Sequence, residues 1–126
     1  MEKIYLIHGW GGGPSTEAWF GWLKKECDKR SIKLIIPKMP NPDEPKIDSW
    51  IGKIEEVVDN KTKNIYLIGH SIGCQAIMRY LEKTDIKVKG IVFVAGWFNL
   101  IEDCYNNNEE REIAKPWIET PINFKE

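Results

Sequence analysis

Gly69-His70-Ser71-Ile72-Gly73 sets a hydroxyl between two residues that have no Cβ, and that spacing suits a serine used as a nucleophile. G-x-S-x-G is the pattern of a nucleophile elbow, in which the serine stands on a strained strand-to-helix turn and the glycines let the two elements approach closely. A serine held there lies beside backbone N–H groups at a helix N-terminus, which can stabilise a developing oxyanion. The five-residue pattern is common by chance, so its context decides. Before it, Ile65-Tyr66-Leu67-Ile68 is a short apolar run; after it, Ile72, Ala76, Ile77 and Tyr80 recur at helical spacing. Strand, tight turn and helix are the context the motif requires. An N-cap serine is the competing explanation, and capping needs no glycine on either side.

A second glycine cluster, His8-Gly9-Trp10-Gly11-Gly12-Gly13-Pro14, follows another apolar run and predicts a loop whose backbone can approach a ligand closely. A phosphate or dinucleotide cradle is the alternative. Pro14 stands where G-x-G-x-x-G needs its third glycine, and no Lys-Ser or Lys-Thr pair follows, so that alternative fails. His8 and His70 are the two histidines of the chain, and none follows Ser71. His8 should sit at the end of a strand next to the elbow strand, about 4.8 Å away, within reach of Ser71 either as a structural residue or as a base. His70 alternates away from Ser71 and reads as a hydrogen-bonded core histidine. Asp103 lies where an acid of a catalytic set could stand, but it has no histidine to orient. Trp10, Trp97 and Phe98 are candidate walls of a pocket near Ser71, and Trp19 reads as core. No His, Cys or carboxylate cluster has metal-ligand spacing, and no metal or cofactor is expected.

The elements that must position these residues alternate along the chain. Ile4 to Ile7, Lys33 to Ile36, Ile65 to Ile68 and Val88 to Ala95 predict four strands, and the lack of alternation in Ile4 to Ile7 suits a strand covered on both faces. Between them, Ser15 or Thr16 predicts the cap of a helix that buries Trp19, Trp22, Leu23 and Cys27. Asp48 or Ser49 predicts the cap of another, with Trp50, Ile51, Ile54, Val57 and Val58 on one face and Glu55, Glu56 and Asp59 in solvent. Pro37, Pro40, Pro42 and Pro45 predict an extended surface loop rather than a domain linker, because apolar elements of the same kind continue on both sides. After the fourth strand the chain is loop-like, with a short helix expected before Pro116. The β, α, β, α, β, α, β order predicts an α/β fold with a parallel sheet and helices on both faces. Both glycine-rich turns fall at the carboxyl ends of strands, where such sheets bind ligands.

A chain of 126 residues fits one domain, and 42% apolar residues with six tryptophans suit a packed core. A formal net charge of -1, with both signs interspersed, gives no surface for nucleic acid or membrane. Neither a signal peptide nor a membrane span is seen, so a cytoplasmic protein is expected. Cys27, Cys74 and Cys104 form no disulfide framework. The first two read as apolar helix-face residues and the third as a loop thiol.

Taken in order, the glycine loop from His8, Trp19-Phe20-Gly21-Trp22-Leu23-Lys24-Lys25-Glu26, Met39-Pro40-Asn41-Pro42, the Ser71 elbow and Ala114-Lys115-Pro116-Trp117 form a specific set. The chain resembles the small α/β-hydrolase-fold serine hydrolases typified by retinoblastoma-binding protein nine, over Ile4 to about Trp117. That resemblance implies a three-layer sandwich with strand order two-one-three-four, equivalent to the N-terminal portion of the fold, and a small ester or amide as substrate. It implies Ser71 as the nucleophile of a Ser-Asp-His triad, with the Ile72 N–H and a loop N–H, from Trp10 or alternatively Gly11, as oxyanion donors. Around them, His8, Gly9, Gly11, His70 and Trp97 are expected to line the site, with His8 shaping the loop. The family's acid and histidine belong to or follow two further strands, so the chain is expected to be C-terminally truncated relative to the family and close to inert. A noncatalytic binding module on the same scaffold is the alternative. The fourth strand would then be an apolar edge, from Ile91 to Ala95, suited to self-association.

Overall fold

Successive side chains of a strand point to opposite faces, and the first strand, β1 (Lys3–Ile7), sorts its residues accordingly. Tyr5 and Ile7 enter one core with Met39, Trp50, Ile54, Ile65, Leu67 and Ile72. Leu6 enters the other with Phe20, Cys27 and Leu34. The computed structural model describes residues 2–59, 61, 64–97 and 107–122. Within them β1 is followed by α1 (Ala18–Lys29), β2 (Lys33–Ile35), α2 (Ile47–Val57), β3 (Ile65–His70), α3 (Ile72–Lys83), β4 (Gly90–Val94) and α4 (Asn108–Glu119). The strands form one sheet in the order β2-β1-β3-β4, every pair parallel, with Ile7 opposite Gly69 and His70 opposite Val94. The first core cluster gathers side chains of α2, α3 and α4, and the second those of α1. This is the three-layer α/β sandwich and the strand order that the sequence predicts.

Three local details differ from expectation. Helix α1 has Glu17 at its N-cap with no side-chain cap bond, because Thr16 is used in a turn, its N–H donating to the Gly13 carbonyl at 3.3 Å. Phe20, two residues and about 200° round the helix from Trp22, takes the core position; Trp22 is 62% exposed. Helix α2 is likewise entered from Lys46, with Asp48 in its first turn, where a carboxylate suits the positive end of the helix dipole.

The third detail is α4, which runs through Pro116 rather than stopping before it. A proline inside a helix forfeits a backbone hydrogen bond. Tertiary contacts hold this one: Trp117 is fully buried against Trp50, ring centroids 5.9 Å apart, and its indole N–H donates to the Pro45 carbonyl at 2.9 Å.

The proline-rich segment is packed rather than loosely extended over the surface. Prolines contribute carbonyls without matching N–H donors, and here the donors come from elsewhere. Trp50 Nε1 reaches Pro40 O at 2.9 Å, Trp10 Nε1 reaches Asp43 O at 3.0 Å, and Gly11 N reaches Pro42 O at 2.7 Å. Met39 and Pro37 are buried within it. On the other side of the sheet β4 pairs with β3 alone among the described strands, leaving Ile91, Val92 and Phe93 between 41% and 55% exposed.

Candidate active site

The chain leaves β3 at His70 and enters α3 at Ile72, so Ser71 alone makes the turn. Its backbone sits at φ 54°, ψ -122°, a conformation that L residues avoid and that costs about 1–3 kcal/mol. Two hydrogen bonds hold it: Ser71 N–H to the Val94 carbonyl at 2.8 Å, and Cys74 N–H to the Ser71 carbonyl at 3.0 Å. The flanking glycines are sterically required. A Cβ on Gly69 would lie 2.7 Å from Cys74 Cα, and one on Gly73 would lie 2.2 Å from the Ile7 carbonyl oxygen. Strand, helix and the neighbouring strand β1 therefore converge on the serine more closely than any side chain permits.

The glycine loop passes directly over this turn. A Cβ on Gly9 would be 3.2 Å from Ser71 Cβ and 3.3 Å from His70 Nδ1, and Gly11 has φ 71°. Gly12 N–H closes the loop onto the Gly9 carbonyl at 3.1 Å. Between loop and elbow lies a cavity of about 90 Å³ lined by His8, Gly9, Trp10, Gly12, Thr16, Glu17, Phe20, His70 and Ser71. The sequence reading missed Thr16, Glu17 and Phe20 here, since their part depends on how α1 docks.

His8 is fully buried and both ring nitrogens are engaged. Nδ1 faces the Gly9 carbonyl at 2.8 Å, so it must donate; Nε2 must then accept, and it takes the Met39 N–H at 3.0 Å. A proton on Nε2 would point at another N–H. Burial is the main cause that pushes the His8 pKa down, His70 adding to it, although the Gly9 bond acts in the opposite sense. Neutral His8 therefore pins the proline loop to the glycine loop, a structural role. The sign for stability follows. Above the ordinary value of 6.5 neither the folded nor the unfolded histidine binds a proton. As pH falls through 6.5 the unfolded chain takes up a proton that the fold refuses, so stability declines until folded His8 titrates at its lower value. Urea midpoints should thus fall between about pH 7.5 and about pH 5.5, and His8→Gln, whose amide oxygen can still accept from Met39, should flatten that step. An unchanged slope in the variant would assign the pH dependence elsewhere.

His70 departs from its expected character. It is half-buried, its ring 5.8 Å from Trp19 and 5.9 Å from Phe20, and its Nδ1 has no hydrogen-bond partner. Packing between rings, not hydrogen bonding, places it.

Residues 4–123 match the family model described as serine hydrolase. The chain belongs to the serine hydrolase family. Relatives of the chain include YdeN of Bacillus subtilis (strain 168), 36% identical over 98 residues that make up 76% of this chain and 51% of YdeN. Another is the serine hydrolase RBBP9 of Rattus norvegicus, 28% identical over 117 residues, 91% of this chain and 61% of RBBP9. The chain thus spans between half and two thirds of these relatives' length. The crystal structure of the B. subtilis ydeN gene product superposes with a TM-score of 0.76 at 26% identity, covering 98% of this chain and 63% of that one. An extracellular α/β-hydrolase from a Paenibacillus species, 20% identical with a TM-score of 0.58 over 79% of this chain and 43% of its own, shares the fold.

Trp97 donates its indole N–H to Ser71 Oγ at 3.2 Å. Cys74, one turn into α3, is buried, and burial pushes its thiol pKa up despite its contact with the Val94 carbonyl, so it stays a thiol and does not compete with Ser71. Phe98, Asp103 and Cys104 lie outside the described residues. Among the described residues no three His, Cys, Asp or Glu side chains gather as metal ligands would, and no helix is long and apolar enough to cross a membrane.

Proposed function

We propose that this chain carries the nucleophile and oxyanion site of a hydrolase for small carboxylester or amide bonds. Ser71 Oγ attacks the carbonyl carbon, and the Ile72 and Trp10 N–H groups stabilise the oxyanion of the tetrahedral intermediate. The observation that carries this reading is the Ser71 backbone, held at φ 54° between two glycines, because capping a helix requires no such strain. Ile72 N–H opens α3, where no intrahelical carbonyl can reach it. Gly11 N–H is engaged by Pro42, which favours Trp10 as the donor from the loop.

The proton of Ser71 needs an acceptor. His8 has no free nitrogen, and no histidine follows His70. Ser71 therefore has no base among the described residues, and we expect these residues alone to reach only the acceleration that an oxyanion hole and binding supply, ~10³ to 10⁴ over water. The test combines fluorophosphonate labelling with p-nitrophenyl acetate turnover. Weak labelling located on Ser71, lost in Ser71→Ala and retained in His8→Gln, is the expected result. Robust turnover that vanishes in His8→Gln would make His8 the base and overturn it. Absence of any Ser71 labelling would favour a noncatalytic binding module, a reading to which the Trp97 contact on Oγ gives some support.

A further inference from the structure

Trp97 follows a bend made by Ala95 at φ 54°, and Gly96 passes so close to α3 that a Cβ there would lie 3.1 Å from Cys74 Sγ. The bend folds the chain back over the elbow. What fixes Trp97 in this position is a series of hydrogen bonds that leads away from the site. Its carbonyl accepts from Gln75 Nε2 at 2.9 Å, and Gln75 Oε1 accepts from Arg79 Nη2 at 3.0 Å. The same Arg79 nitrogen donates to the carbonyls of Trp117 at 2.9 Å and Thr120 at 2.8 Å. Those carbonyls close the C-terminal end of α4, where a cation is favoured. The orientation of the Gln75 amide is determined by its neighbours, since a flip would set oxygen against a carbonyl and NH₂ against a guanidinium.

Gln75 and Arg79 are both buried on α3, one turn apart, and a buried position is an expensive place for a guanidinium. No feature of the elbow itself needs them. We propose that Gln75 and Arg79 are positioning residues, which hold the Trp97 indole N–H on the Ser71 hydroxyl and so couple the state of the nucleophile to the docking of α4. In that state the indole occupies a lone pair of Oγ and draws electron density from it, so the hydroxyl is restrained and less nucleophilic. A chain in which α4 shifts, or in which a ligand takes the indole N–H, frees it. The part that concerns reactivity rests on the reading of Ser71 as nucleophile; the part that concerns geometry does not.

Gln75→Glu separates the links. A carboxylate still accepts from Arg79, which keeps the buried charge paired and α4 docked, but it has no N–H for the Trp97 carbonyl. The readout is the set of tryptophan indole N–H signals in a ¹⁵N correlation spectrum, with Trp97 assigned by its loss in Trp97→Phe. Ser71→Ala defines the signal of an indole without its acceptor. In Gln75→Glu the Trp97 signal should move towards that position and its solvent exchange should quicken about tenfold, while the signals of Trp117 and Trp50 stay in place. Fluorophosphonate labelling of Ser71 should rise severalfold in both Trp97→Phe and Gln75→Glu. Should Gln75→Glu fail to fold, Gln75→Met, which likewise offers no N–H to the Trp97 carbonyl while Arg79 keeps its two α4 carbonyls, should produce the same Trp97 shift. A Trp97 signal unmoved in either folded variant overturns the coupling. Trp97 shifts as expected with no Ser71 labelling in any variant would leave the coupling standing and overturn the nucleophile reading instead.

Discussion

Gly73→Ala is expected to abolish the fold, even though it adds a single methyl group. The new Cβ would lie 2.2 Å from the Ile7 carbonyl oxygen and 2.9 Å from that of His8. Both are backbone atoms, and Ile7 is locked in register against Gly69 in the interior of the sheet. No rotamer relieves the clash. Either α3 lifts off the sheet, exposing Ile72, Ala76 and Ile77, or β1 breaks its pairing. Each exceeds the few kcal/mol that mark an exceptional substitution and approaches the whole stability of about 5–15 kcal/mol of a small domain. Urea denaturation should find no cooperative transition. The matched control is Gly52→Ala in α2, where a Cβ meets nothing within 4 Å and a gain of about 0.5–1 kcal/mol is expected. A Gly73→Ala protein with native cooperativity would show that strand and helix are not so closely apposed.

Trp50→Ala should be the most damaging of the large-to-small substitutions, with a loss of about 3–5 kcal/mol. Trp50 is fully buried and joins pieces of chain that are distant in sequence. Its ring packs edge-on to His8 at 5.6 Å and to Trp117 at 5.9 Å, and its N–H satisfies Pro40 O. Truncation leaves a cavity between β1, α2 and α4 and an unpaired carbonyl beside it. Trp50→Phe fills most of that space without restoring the donor, so its loss should be smaller, by the difference between cavity and hydrogen-bond effects. The comparison is read from denaturant midpoints at constant slope. Equal losses for the two variants would assign the effect of Trp50 to its N–H and not to packing.

What could be read from the sequence was local. The elbow is legible because Gly69, Ser71 and Gly73 answer to constraints within five residues, and the parallel α/β sheet because short apolar runs alternate with helical ones under a fixed crossover hand; the strand order follows only from the family resemblance. The partners of the site were not legible, because they depend on pairs far apart in the chain. Nothing near Met39 indicates that its N–H meets His8, and nothing near Arg79 indicates that α4 ends on it. Helical spacing alone predicts a buried Trp22, whereas Phe20 two positions earlier is the residue that faces β1 and β2. Local propensity predicts a helix that ends before Pro116, and the burial of Trp117 overrides it.

The grip on the proline-rich segment has a consequence for how its sequence can change. Trp10, Trp50 and Trp117 recognise it through main-chain carbonyls, and every residue type presents the same carbonyl. The segment can therefore drift in side chains while it stays fixed in space, provided that Met39 continues to fill the core and that its N–H continues to meet His8. The tryptophans have no such latitude, since no other apolar side chain carries an N–H at that reach. Spatial precision over the site is thereby stored in the residues that hold the loop, and the loop itself is left free to diverge.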